Sequence, residues 1–119
     1  MRQAIRLLMV CEAATFIVAA LIHFGVLAQG FEHQKAGTAE SVIAVVLLTG
    51  FGWSLAAGRS IRLIGLTAQG FALIGTLVGI FTIAIGVGPR TVPDIAYHVL
   101  IVIVLVSGLV VAARAKRRP

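Results

Sequence analysis

The sequence predicts an all-α integral membrane protein: a single domain over residues 1–119 built as an antiparallel bundle of four transmembrane helices. Three observations predict it. Of the 119 residues 60% are hydrophobic and only 12% charged, with a mean hydropathy of +1.08. The apolar residues gather in four runs, and the basic residues sit at the ends of those runs. Soluble domains carry roughly 25% charged residues, and small ones bury only about 60–70% of the surface their unfolded chains expose. The composition therefore excludes a water-soluble enzyme and a disordered chain. It also excludes a nucleic-acid binder, although ten Lys and Arg against four Asp and Glu give a net charge of +6 and a pI near 11.2. A polyanion site needs its cations on one solvated face, and here they sit at the ends of apolar runs.

The four runs are about 5–28, 39–57, 61–87 and 92–113. Each meets the roughly 17–25 residues needed to span a bilayer as a helix. Stretches such as Val42–Leu48 and Ile101–Leu105 are continuously apolar, without the in/out alternation of a barrel strand. The first run exceeds the apolar core of a signal peptide and contains Glu12, so it is expected to stay as a span. Its Cys11 is the sole cysteine and forms no intramolecular disulfide.

Charge sets the expected orientation. Arg2, Arg6, Arg59, Arg62, Arg114, Lys116, Arg117 and Arg118 flank one side, against Lys35 and Arg90 on the other. Cytoplasmic loops collect Lys and Arg. Both termini are therefore expected inside, in an inner (cytoplasmic) membrane, with the basic tail against lipid headgroups.

The third run carries Ala68, Ala72, Gly75, Gly79, Thr82 and Gly86 on one stripe. Small residues permit close helix approach where lipid provides no hydrophobic drive. Ala72, Gly75 and Gly79 are thus expected to form the tightest contact, within the bundle, in a homo-oligomer or with a membrane-protein partner. In the simplest closed bundle spans one and four touch, and spans one and three are diagonal. The two hairpins run in the same direction, and aligning Glu12 with Gln69 and Glu40 with Tyr97 invites a parallel-repeat reading.

Ionisable groups inside a membrane are expensive and mark candidate sites. His23 and His98 each lie about six residues below the outer ends of their runs, which at 1.5 Å per residue is roughly 9 Å deep. Asp94 is one turn above His98, placed to orient it or to serve as a further ligand. Pro93 and Asp94 also suit the start of a helix. Glu40 and Thr82 complete an outer pocket expected to hold a metal ion, haem or a small ligand, with His23, His98, Asp94 and Glu40 as the metal set and the two histidines as the haem set. Imidazole and carboxylate suit Zn, Cu, Fe or Ni, and bundles host cofactors between facing helices. No HxxxH, CxxCH or HExxH spacing selects among them. The plainer reading is polar anchoring near the interface. The side chains show no nucleophile and base set, so enzyme activity would depend on a metal or haem.

A second candidate is Glu12, inside the first run on a stripe with Thr15, Ala19 and His23. Gln69 enters the third run at a comparable depth, within reach of its carboxyl. The group reads as a proton or cation site of a transporter, as a neutral Glu12–Gln69 hydrogen bond, or as a carboxylate reaching towards Arg6. Four spans, this length and a glutamate in span one resemble the small multidrug-resistance transporters, a resemblance that implies proton-coupled export through Glu12. Their third span is rich in aromatic residues and glycine, whereas this one has only Phe71 and Phe81 as aromatics. A structural subunit of a membrane complex is the third functional class the sequence accommodates.

Overall fold

The computed structural model describes residues 1–117, so the Arg118 of the basic tail lies outside the described residues. Helices α1 (Arg2–His23), α2 (Gln34–Ala56), α3 (Ile61–Ala84) and α4 (Val92–Arg114) account for most of the chain, with a 3₁₀ turn at Gly58–Ser60 between α2 and α3. All four are long and apolar enough to cross a membrane. Large apolar side chains such as Leu7, Val45, Leu63, Ile74, Phe81 and Val99 are exposed around the perimeter. The apolar rim, with buried polar groups set within a largely apolar core, differs from the charged rim of a soluble bundle.

α1 ends at His23, five residues before the apolar run does, and α2 starts at Gln34, five residues earlier than its run. The cause is a glycine stop. Gly25 adopts φ +77°, its N–H donates to Ile22 O at 3.0 Å, and Val26 N–H donates to Leu21 O at 2.9 Å. This 6→1 and 5→2 pair is a Schellman motif. Ile85-Gly86-Val87 closes α3 in the same way, with Gly86 at φ +85°. α2 is then opened by His33, whose Nδ1 accepts from Ala36 N–H at 3.2 Å. Glu40 consequently sits in the second turn of α2 instead of its first. α4 opens on a capping box between Thr91 and Asp94 with Pro93 in the first turn.

α1 packs most extensively on α2 and α3 on α4, while α2 and α3 share the next seam. The bundle is flattened, with extents of 49 × 25 × 16 Å. Spans one and three are not kept apart as a square bundle requires: α1 meets α3 as closely as it meets α4. Gly65 explains it, since a Cβ there would lie 2.7 Å from Ile5 Cγ2 and 3.2 Å from Ala112 Cβ. The small-residue stripe of α3 is used within the chain. Ala72 is fully buried, Gly75 accepts Ile43 of α2, and Gly79 accepts the ring of His98. At the end that carries both termini, the Arg6 guanidinium donates to Ser54 Oγ at 3.1 Å and to Ser54 O at 2.5 Å. It tethers α1 to α2 and does not meet Glu12.

Candidate functional site

The buried polar side chains form two groups along the bundle. The first lies at the end bearing the 24–33 and 85–91 loops. His23 is 2% exposed and sits between two carboxylates: its Nδ1 is 2.7 Å from Glu40 Oε2 and its Nε2 is 2.8 Å from Asp94 Oδ1. Two acceptors facing two ring nitrogens fix the proton inventory. Either the ring is an imidazolium between two carboxylates, or a neutral ring faces one carboxylate and one carboxylic acid. Both arrangements hold the same number of protons and carry a net charge of −1. The trio joins α1, α2 and α4. Asp94 has a second set of partners, because its Oδ2 accepts from the Thr91 hydroxyl and from Thr91 N–H at 3.2 Å.

Asp94 does not orient His98 through its carboxylate, as the i,i+4 spacing suggested. His98 Nδ1 instead donates to the Asp94 backbone carbonyl at 2.7 Å. A carbonyl only accepts, so Nδ1 carries the hydrogen and, in the neutral ring, Nε2 presents a lone pair. That nitrogen makes no hydrogen bond among the described residues and lies over the α3 backbone, 3.1 Å from where a Cβ on Gly79 would be. His33 bridges the two loops: with Nδ1 accepting from Ala36, its Nε2–H donates to Val87 O at 3.1 Å.

The expected single pocket is instead two separate cavities. A cavity of about 170 Å³ is bordered by Phe16, His33, Glu40, Thr82, Tyr97 and His98, among others, with Lys35 and the 87–89 turn at its mouth. His23 and Asp94 border a separate, more open cleft of about 440 Å³ together with Thr15 and Pro93. Tyr97 lines both. The two histidines therefore do not converge as an axial pair, and both nitrogens of His23 are engaged by carboxylates. Among the described residues no group of three or more His, Cys, Asp or Glu side chains is arranged to hold a metal ion. The residues present do not fit haem or a metal centre in this arrangement. Thr82 donates to Gly79 O at 2.7 Å, which leaves its oxygen able to accept from the cavity.

Tyr97 stands beside His98 on α4. It turns inward, with its ring edge-on to Phe16 at 6.1 Å and to His98 at 5.7 Å, and its hydroxyl is buried without a hydrogen-bond partner. No spacing in the sequence marks its inward direction on α4, which is largely apolar beyond its first turns. Phe16, one turn beyond Glu12 on the interior face of α1, was also not singled out.

The second group lies in the half nearer the termini. Glu12 of α1 and Gln69 of α3 are both fully buried. Gln69 Nε2 donates to Gly65 O at 3.1 Å and towards Gly108 O at 3.5 Å, while its Oε1 and both Glu12 oxygens have no partner. Thr15 is exposed at the edge of the expected polar stripe and donates to the Glu12 backbone carbonyl at 2.7 Å.

These two polar groups inside an all-helical bundle define the class of protein as far as the fold carries it. No family model, curated protein or solved structure matches the chain.

Proposed function

We propose that the protein is a multi-pass membrane binding protein that holds a small, single-ring ligand bearing a hydrogen-bond donor in the cavity at its loop end. Both termini face the cytoplasm in this reading, on the strength of the eight-to-two bias of basic residues. The observation that carries the proposal is the uncommitted Nε2 of His98 on the wall of a partly open cavity of about 170 Å³. A cavity of about 150 Å³ accommodates a benzene ring, so the space suits one six-membered ring. Phe16, Ile43 and Val78 supply apolar walls, and His98 Nε2, Glu40 and Thr82 supply acceptors. The buried Tyr97 hydroxyl offers a donor for a ligand oxygen. A phenol-like group, free or as the head of a larger amphiphile, matches this set.

Titration calorimetry of the protein in nanodiscs with phenol and with benzene tests it. One net hydrogen bond contributes about 0.5–1.5 kcal/mol, so phenol should bind roughly 2- to 10-fold more tightly than benzene. His98→Leu should abolish the difference, and Gly79→Leu should block both ligands. No phenol binding by the unmodified protein, or an unchanged phenol preference in His98→Leu, contradicts the reading.

A further inference from the structure

The Glu12 group lies apart from the ligand cavity and has a chemistry of its own. Its defining feature is a surplus of acceptors. Glu12 Oε1, Glu12 Oε2 and Gln69 Oε1 are all buried without a donor. The amide of Gln69 is oriented by its Nε2 contacts to Gly65 and Gly108 carbonyls, so its oxygen cannot be exchanged for its nitrogen without losing them. Gly108 shows how close the oxygens lie to one another. A Cβ built there would be 1.8 Å from Gln69 Oε1 and 2.8 Å from Glu12 Oε1, so both crowd the same point on the α4 backbone.

Among the described residues no fixed charge compensates a carboxylate at this point. α1 has no cation between Arg6 and His23, and Arg6 is committed to Ser54. α2 carries no ionisable side chain between Glu40 and Arg59, α3 none beyond Arg62, and α4 none between His98 and Arg114. The surrounding interior residues Met9, Ala13, Leu47, Ala68, Ala72 and Leu105 are apolar. Buried polar atoms are hydrogen-bonded almost without exception, and an unpaired buried charge is far more costly than an unpaired dipole. What the cluster lacks is one positively charged or donating particle small enough for a packed site.

We propose that Glu12, Gln69 and Gly108 form a proton-binding site in which the Glu12 carboxylic acid donates its O–H to Gln69 Oε1. The proton converts one of three surplus acceptors into a donor and pairs a second. Gly108 is required because only a residue without a Cβ lets the carboxyl and the amide meet against α4. No basic side chain on the four helices at this level can take the proton, so when raised pH removes it the proton goes to water.

Infrared difference spectroscopy of the full chain in nanodiscs tests it. The expected result is a carboxylic acid C=O band at neutral pH that disappears in Glu12→Gln and moves to higher frequency in Gln69→Leu, where the acceptor is gone. Alkaline titration should bleach the band reversibly with the helical circular dichroism unchanged. A neutral-pH spectrum without the Glu12-dependent band overturns the proposal, as does a band that neither shifts in Gln69→Leu nor bleaches. Phenol binding in Glu12→Gln should equal that of the unmodified protein, so the two sites are judged separately.

Discussion

Replacing His23 by Ala removes the one side chain that bonds α1 to α2 and α4 together at the loop end. The two contacts, at 2.7 and 2.8 Å, have the short lengths of charge-assisted hydrogen bonds. In water-soluble proteins such bonds contribute about 1.5–3 kcal/mol each, whereas side-chain hydrogen bonds measured in a membrane bundle average about 0.6 with a maximum near 1.7 kcal/mol. The trio is a net anion buried to 2%, 6% and 8% exposure at His23, Glu40 and Asp94, which places it towards the upper part of the membrane range. His23→Ala should then destabilise the fold by about 3 kcal/mol, the two lost bonds plus the lost packing of the ring. The bonds themselves are isolated by double-mutant cycles. Among the described residues Glu40 has no other side-chain partner, while Asp94 keeps the Thr91 hydroxyl and N–H. The coupling of His23 to Glu40 should therefore be about 1–2 kcal/mol and exceed that of His23 to Asp94. Equilibrium unfolding in mixed micelles, followed by helical circular dichroism, measures both. Couplings below about 0.3 kcal/mol, within the additivity expected of unconnected sites, would refute the assignment of the trio as a bonded unit.

Gly108→Ala should destabilise by about 1–3 kcal/mol through overpacking, because its Cβ would fall 1.8 Å from Gln69 Oε1; the same unfolding assay in a Gln69→Ala background should recover most of the loss. His33→Ala removes the α2 cap and the link to Val87, which should lower stability by about 1 kcal/mol and raise amide exchange across residues 34–37 more than elsewhere. Cys11 is exposed on the side of α1, and in proteoliposomes it should resist a charged thiol reagent but react with an apolar one; rapid labelling by the charged reagent would contradict the membrane-spanning placement of α1.

The starts of the third and fourth helices were legible to the residue, because Arg59 and Ser60 precede one and Thr91-Val92-Pro93-Asp94 opens the other, whereas α3 ends at Ala84, three residues before its apolar run does. The boundary between the first two was not. Phe24, Val26, Leu27 and Ala28 extend the apolar run past the true helix end. Gly25 was the available signal, and hydropathy alone outweighed it. Depth and helix order brought His23, Glu40 and Asp94 to one end of the bundle, which is where they meet. The pairing within that end was misread, since i,i+4 spacing describes neighbours on one helix and the Asp94 carboxylate turns to the Thr91 cap and across to α1. Glu12 and Gln69 do meet in the interior, but their lack of any donor depends on the direction of the Gln69 amide, which Gly65 and Gly108 determine. The inward turn of Tyr97 rests on its edge-on approach to Phe16 of α1, which no local pattern on a largely apolar helix encodes.

The ligand reading rests on one nitrogen. Imidazole ¹⁵N spectroscopy of the protein in nanodiscs, with His98 assigned through His98→Gln, observes it directly. The account predicts a protonated Nδ1 and an unprotonated Nε2 whose resonance moves when phenol is added, while the His23 signals stay in place. An Nε2 that carries the hydrogen of the neutral ring, or a resonance unmoved at saturating phenol, would contradict it.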